Sequence, residues 1–213
     1  ARDAFRASVR RFVEREIAPH VDEWDEAGSF PRELYAQAAA AGLIGLGYPE
    51  HLGGTPDMNV FNHVLQRIQP LGWHLVVHLD AADIVELSGL FRALSLPFVI
   101  DHMGRVNAGA GLEQGPFRAL LELMQLDNCW VKVCGAERVS AAGPPFADAI
   151  PFAQALVDAA PDRVLWGTDW PHPNVRHMPN DGDLVDLVPL IAPDEALRRK
   201  LLIYNPARLY DWG

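Results

Sequence analysis

Four short apolar segments constrain the fold of this chain more than any other feature of its sequence. They are WHLVVHL at 73–79, LPFVID at 96–101, CWVKVC at 129–134 and RVLWGT at 163–168. Short apolar runs rich in branched side chains predict strands that are buried on both faces. Strands that alternate with helices pair in parallel through right-handed crossovers. The sequence therefore predicts an α/β fold, either an open doubly wound sheet or part of a (β/α) barrel.

Helices are predicted over most of the remaining sequence. Apolar periodicity places them at 55–72, 81–94, 115–126, 147–159, 183–191 and 194–203. Two more helices, 3–26 and 31–41, precede a loop rich in glycine and proline, and Pro19 is expected to kink or end the first of them. No strand pattern precedes that loop. We therefore predict an α-helical N-terminal segment, residues 1–54, followed by an α/β region, residues 55–213.

Polar and charged side chains follow every predicted strand. In chain order they are His78 and Asp80, then Asp101, His102 and Arg105, then Glu137 and Arg138, and finally Asp169 and His172. In a barrel the carboxyl ends of parallel strands lie at one face, which is where catalytic groups are assembled. The sequence therefore predicts one shared site at this edge of the sheet.

The expected chemistry is the attack of water on a carbonyl group. Asp169 is predicted to be the general base, and His102 to orient the water or stabilise the developing charge. Arg105 and Arg138 are predicted to hold a substrate carboxylate or polarise the carbonyl, because a guanidinium is a forked donor. His78 is interpreted as a ligand, a donor or a packed side chain. Each arginine is equally compatible with a solvated loop charge, and His102 with a buried histidine bonded to the backbone.

Several other residues are expected to have structural roles. His172 and His177 are expected to be exposed in a loop, and Asp101 to point away from His102. Cys129 and Cys134 are interpreted as small buried apolar residues of a reducing compartment. Core or rim packing is expected for the tryptophans, Trp73, Trp130, Trp166 and Trp170.

Composition excludes several partners. The formal net charge of -10 argues against binding to nucleic acid or to an anionic membrane surface, because both need clustered Lys and Arg. No apolar run approaches the roughly 20 residues of a membrane span. The charged first residues lack the apolar core of a signal peptide. We therefore expect a cytoplasmic protein with a small-molecule partner.

Five segments, GWHLVVHLDA, FVIDHMGR, WVKVCGAERVS, VLWGTDWPHP and NPARLYDW, together resemble the C-terminal half of amidohydrolase-related proteins. The resemblance covers about residues 51–213 and is greatest for the 2-pyrone-4,6-dicarboxylate lactonase group, with its sugar-lactonase and sulfomuconolactone-hydrolase relatives. It implies part of a (β/α)8 barrel, about four strands here, that hydrolyses a carboxylated lactone or similar cyclic ester.

The resemblance also implies roles for individual residues. Asp169 and His102 would be catalytic, and Arg105, Arg138 and His78 would bind substrate. It implies no cofactor and no metal. The alternative is zinc held by His78 and Asp169, because zinc-dependent members of the superfamily carry a histidine on the strand that ends at His78.

Two departures from the family pattern define the alternatives. The His-x-His pair and the first strands of the barrel are absent, which predicts impaired activity or an inactive remnant. An incomplete barrel also leaves strand edges open, so we expect self-association, which size-exclusion chromatography tests.

Residues 2–54, ending in YPEHLGG, resemble the first helices of acyl-CoA dehydrogenases. We therefore hypothesise a fusion of the two, with a flavoprotein fragment as a further alternative.

Overall fold

The computed structural model describes residues 2–27, 29–31, 33–40, 58–172, 175 and 177–211. The chain divides into two compact units, residues 1–73 and residues 74–213. The predicted junction between residues 54 and 55 lies outside the described residues and stays a prediction.

The first unit is helical in the part that the structure describes. Its elements are α1 (Arg2–Phe12), a π-helix (Val13–Ile17), α2 (Val21–Ala27), α3 (Glu33–Ala40), α4 (Met58–Ile68) and a 3-10 turn (Gln69–Leu71). The predicted helix at 3–26 is interrupted around Pro19, since proline cannot continue the hydrogen-bond ladder. The predicted end at Gly72 is confirmed, because Gly72 adopts a left-handed φ of 68° after the last turn.

The second unit contains one sheet of four parallel strands. They are β1 (Leu75–Val77), β2 (Phe98–Ile100), β3 (Cys129–Lys132) and β4 (Val164–Leu165). Their spatial order is the chain order, and every neighbouring pair is parallel. This confirms the α/β class and the four parallel strands. Each strand is shorter than its apolar run.

Helices connect and follow the strands. They are α5 (Ala81–Glu86), α6 (Ser88–Ala93), α7 (Gly115–Leu123), α8 (Ala136–Val139), α9 (Ile150–Ala159), α10 (Asp181–Asp186), α11 (Val188–Ile191), α12 (Glu195–Arg199) and α13 (Asn205–Tyr210), with a π-helix at Lys200–Tyr204. Single helices were predicted at 81–94 and 183–191, and each is in fact two. The backbone at Leu87, with φ of -93° and ψ of 5°, breaks the first. Helix α13 was not predicted.

The two faces of the sheet are packed differently. On one face, the Phe91 ring stacks on the Phe98 ring with their centroids 5.5 Å apart. On the other face, Val99, Trp130 and Leu165 form a cluster on which Leu209 and Tyr210 of α13 pack. A four-stranded sheet would leave this second face open, and α13 covers part of it.

Burial tests several minor expectations. Cys129 and Cys134 are buried and unpaired, as expected, and burial raises the pKa of each thiol to about 12. Trp130 is in the core, but Trp170 is 75% exposed, so the packing role expected for Trp170 is wrong. Among the described residues, no helix is long and apolar enough to cross a bilayer.

Candidate active site

Strained backbone marks the residues at the carboxyl ends of the strands. Positive φ angles occur at His102 (50°), Arg105 (50°), Asp169 (67°) and His172 (56°). These are four of the seven non-glycine residues with positive φ in the described part of the chain. A left-handed conformation costs a residue with a side chain about 1–2 kcal/mol. Strain of this kind concentrates at functional sites, so the backbone supports a site here.

His102 is buried against the start of the segment that follows β3. Its Nδ1 lies 3.5 Å from Cys134 Sγ. Gly135 has a φ of 75°, and a Cβ built on it would lie 2.9 Å from His102 Cβ. Only glycine therefore lets the chain pass this close to the ring. Burial lowers the pKa of His102, although the Asp169 and Asp101 carboxylates oppose the shift, so the imidazole is neutral at neutral pH.

Arg138 and Asp169 form a partly buried ion pair beside His102. The Nε and Nη2 atoms of Arg138 both lie 2.7 Å from Oδ2 of Asp169. The other oxygen of Asp169, Oδ1, lies 3.7 Å from His102 Nε2. The side chain of Arg138 is only 11% exposed. The guanidinium therefore fixes the orientation of the carboxylate and leaves Oδ1 facing the imidazole.

Arg105 and His78 lie on the β1 side of the same edge. Arg105 Nη1 is 2.9 Å from Asp80 Oδ1 and 3.4 Å from His78 Nε2. The His78 and His102 rings meet edge to face, with centroids 5.4 Å apart. These contacts link His78 and Arg105 to His102, which in turn faces the Arg138–Asp169 pair. The five predicted site residues thus form one connected row.

A cavity of about 340 Å3 opens beside this row, and His102 and Asp169 line it. Asp101 and Lys132 also line it, with Lys132 Nζ 2.6 Å from Asp101 Oδ1. The expectation that Asp101 points away from His102 is therefore wrong. The cavity brings a carboxylate, an imidazole and an ammonium group together, which suits a small anionic ligand.

Glu137 and His172 are placed at this edge of the sheet by the sequence but were not assigned a catalytic, substrate-binding or metal-binding role. The side chain of Glu137 is fully buried, and burial raises its carboxyl pKa. His172 is 3% exposed, so its expected exposure is wrong, whereas His177 is exposed as expected. His172 Nε2 lies 3.1 Å from Asp181 Oδ1, and its Nδ1 lies 3.9 Å from Glu137 Oε1. A tight turn, in which the His172 N–H donates to the Asp169 carbonyl, folds the ring inward.

The titratable side chains form two triads whose possible ligand atoms lie within 4.8 Å of one another. One triad is His78, Asp101 and His102, and the other is Glu137, Asp169 and His172. Imidazole with carboxylate suits zinc, so both have a donor set that such a cation accepts. The zinc pair suggested by the sequence, His78 with Asp169, is divided between the two triads.

Comparison with known sequences identifies close relatives. The family model described as amidohydrolase matches residues 7–212. The 4-sulfomuconolactone hydrolase of Hydrogenophaga intermedia is 44% identical over 165 residues, which are 76% of this chain and 54% of that protein. The 2-pyrone-4,6-dicarboxylate hydrolase of Comamonas testosteroni is 47% identical over 154 residues, 68% of this chain and 50% of that protein. The chain thus spans about half the length of these relatives.

Solved structures agree with the sequence matches. A ligand-free Agrobacterium tumefaciens protein superimposes with a TM-score of 0.67 at 28% identity, covering 86% of this chain and 66% of that one. A Pseudomonas putida protein, provisionally described as a 2-pyrone-4,6-dicarboxylic acid hydrolase, gives 0.64 at 30% identity, covering 86% and 69%.

A separate, shorter match concerns a second family. The long-chain acyl-CoA dehydrogenase of Sus scrofa is 46% identical over 52 residues, which are 24% of this chain and 12% of that enzyme. The likeness to acyl-CoA dehydrogenases is therefore confined to a short fragment.

Proposed function

We propose, from the premise that this chain belongs to the amidohydrolase family, that its site binds a carboxylated lactone or similar cyclic ester and promotes water attack on the ester carbonyl. Two relatives, 44% and 47% identical, are named as hydrolases of such compounds. The observation that carries the proposal is the placement of Asp169 and His102 together in one cavity, with Asp169 held by Arg138. Because the chain spans about half of those relatives, its own turnover is part of the proposal.

Asp169 acts as the general base in this proposal. Two N–H groups of Arg138 hold Oδ2, so Oδ1 is the atom that accepts a proton from water. His102 Nε2, 3.7 Å from Oδ1, contacts the same water and orients it toward the carbonyl. A neutral imidazole suits this role, because it can accept a hydrogen bond from the water or donate one to the developing oxyanion.

The cations beside the cavity bind the substrate carboxylate. Lys132 lines the cavity, and its present partner is Asp101. Arg105 is paired with Asp80, whose side chain is 72% exposed. An exposed ion pair contributes about 1 kcal/mol or less, so a substrate carboxylate replaces Asp80 at little cost. The position of Arg105 at the open end of the row supports this role, whereas Arg138 acts on the base.

Turnover of 2-pyrone-4,6-dicarboxylate and of simple sugar lactones tests the proposal. We expect Asp169→Asn to lower kcat by about 100-fold or more, the usual contribution of a general base. Asp127→Asn is the control, because that side chain is fully exposed and precedes β3, at the edge of the sheet opposite the site. Turnover that survives Asp169→Asn would remove Asp169 from its role. No turnover in the unsubstituted chain would favour the inactive remnant.

The likeness to acyl-CoA dehydrogenases supports a second proposal, which concerns the origin of the chain. The acyl-CoA dehydrogenase-like match covers 24% of the chain, and the hydrolase match covers 76%. A fusion of two unrelated segments accounts for both shares. The amidohydrolase match nevertheless begins at residue 7, so the position of the junction stays a prediction. Self-association of the chain also stays a prediction. Resequencing of the locus tests the fusion, and an uninterrupted barrel gene there would contradict it.

A further inference from the structure

We infer that Glu137, Asp169 and His172 form a binding site for one divalent transition-metal cation of the zinc or manganese kind. Each residue offers one ligand atom, and these atoms lie within 4.8 Å of one another. One imidazole and two carboxylates are donors that zinc and manganese accept. Neither Glu137 nor His172 is assigned a ligand role in the sequence-based predictions.

Unsatisfied atoms inside the triad point to a missing ligand. Both carboxylate oxygens of Glu137 and the Nδ1 atom of His172 are buried without a hydrogen-bond partner in the described part of the chain. In the described part of the chain, Glu137 Oε1 lies 3.7 Å from Arg138 Nε and 3.9 Å from His172 Nδ1, and both contacts are beyond hydrogen-bond distance. Buried polar groups without partners are costly, and such groups call for a specific explanation. A cation between them would satisfy all three atoms.

Asp181 prepares His172 for this role. Its Oδ1 lies 3.1 Å from His172 Nε2, so Nε2 is the ring nitrogen that donates its N–H, and Nδ1 is the nitrogen left to ligate a cation. A histidine that ligates a metal commonly donates its other N–H to a carboxylate in this way. The lone pair on Nδ1 is on the side of the ring that faces Glu137.

Charge and distance are both compatible with a divalent cation. Glu137, Asp169 and Asp181 supply three carboxylates, and among the described residues Arg138 is the guanidinium in contact with them. Arg138 donates to Oδ2 of Asp169, so Oδ1 is available as a ligand, and its second lone pair can still accept the proton of the attacking water. Ligands at about 2.0–2.2 Å from a tetrahedral zinc are roughly 3.4 Å apart. The present 3.9 Å between Glu137 Oε1 and His172 Nδ1 needs only a small inward movement.

The other triad is a poorer candidate for the same cation. His78 is exposed, and its Nε2 already lies 3.4 Å from the positively charged Arg105. Asp101 lies 2.6 Å from the Lys132 ammonium. Both side chains therefore face cations that a metal ion would have to displace. In the triad of Glu137, Asp169 and His172, one carboxylate oxygen, Oδ2 of Asp169, lies within hydrogen-bond distance of a described cation, Arg138.

Isothermal titration of the chelator-treated chain with Zn²⁺, and separately with Mn²⁺, tests the inference. We expect one site per chain and a higher melting temperature when it is filled. Glu137→Gln and His172→Ala should each weaken binding by more than about tenfold, and Asp181→Asn by about tenfold, the usual loss for a residue that orients a ligand. His177→Ala should bind as the unsubstituted chain does, because His177 is an exposed histidine of the same loop.

Two results would overturn the site. The first is no binding of either ion at about 100-fold the chain concentration. The second is loss of binding in His78→Ala with full binding in Glu137→Gln, which would place the ion in the other triad. If Glu137→Gln does not fold, Asp181→Asn decides, because that side chain is 45% exposed. Binding is measured without a lactone, so this inference and the hydrolase proposal fail separately.

Discussion

Arg105 and Arg138 follow β2 and β3 at similar places in the sequence, yet the fold gives them different surroundings. The side chain of Arg105 is 35% exposed, and its partner Asp80 is 72% exposed. The side chain of Arg138 is 11% exposed, and its partner Asp169 is 21% exposed. The same residue type at the same edge of a sheet is thus a solvated charge on the β1 side and a buried anchor on the β4 side. The difference arises because the turn at residues 169–172 folds inward beside Arg138.

The largest effect that this contrast predicts is on stability. Arg138→Ala leaves the Asp169 carboxylate partly buried without its partner, and we expect a loss of about 3 kcal/mol in the free energy of unfolding. Arg105→Ala breaks an exposed pair and should cost about 1 kcal/mol or less. Urea unfolding followed by circular dichroism measures both. Equal losses would mean that the two arginines experience similar solvation, which would contradict the comparison.

The contact between Gly135 and His102 provides a finer test of the buried side. Gly135→Ala and Gly72→Ala both place an L side chain at a left-handed φ, 75° and 68°, which costs each about 1–2 kcal/mol. Only the Cβ at position 135 meets another group within 4 Å, the ring and Cβ of His102. We therefore expect Gly135→Ala to lose about 1 kcal/mol more than Gly72→Ala, the low end for overpacking.

The position of the His102 ring distinguishes these two glycine variants independently of stability. Imidazole proton resonances of His102 should shift in Gly135→Ala and stay unchanged in Gly72→Ala. Unshifted resonances in both variants would show that the ring moves freely away from the added methyl group, and the close approach at Gly135 would then have no part in holding His102.

The outline of the site could be predicted from the sequence, because the order and spacing of the strands depend on local patterns. Four apolar runs separated by helical segments predict parallel strands in chain order, and the structure confirms that order. The convergence of His102, Arg138 and Asp169 follows from the same rule, since parallel strands end at one edge.

What the sequence did not predict depends on long-range packing. His172 is buried because of the turn after Asp169 and the carboxylate of Asp181, neither of which has a distinctive local signal. Glu137 has no assigned role in the segment GAERVS, and only the approach of His172 and Asp169 makes it a member of a triad.

The smallest predicted effect is on the pH dependence of stability, and it distinguishes a buried histidine, His102, from an exposed one, His177. Burial lowers the pKa of His102 below its usual 6.5, with Asp169 and Asp101 opposing the shift. Below pH 6.5 the unfolded chain therefore takes up a proton that the folded chain does not, so stability rises with pH up to about 6.5 and the penalty is complete below the folded pKa. In urea titrations from pH 5 to 7.5 with chelator present, His102→Gln should lose this slope, while His177→Gln, at an exposed position, should keep it. The lowered pKa of His74 contributes a slope of the same sign, and the raised pKa of the Glu137 carboxyl contributes the opposite slope just above pH 4.5, but both are common to all three proteins and cancel in the comparison. If the slopes of the two variants were the same, His102 would be as open to water as His177. The neutral imidazole on which the arrangement with Asp169 depends would then lose its physical cause.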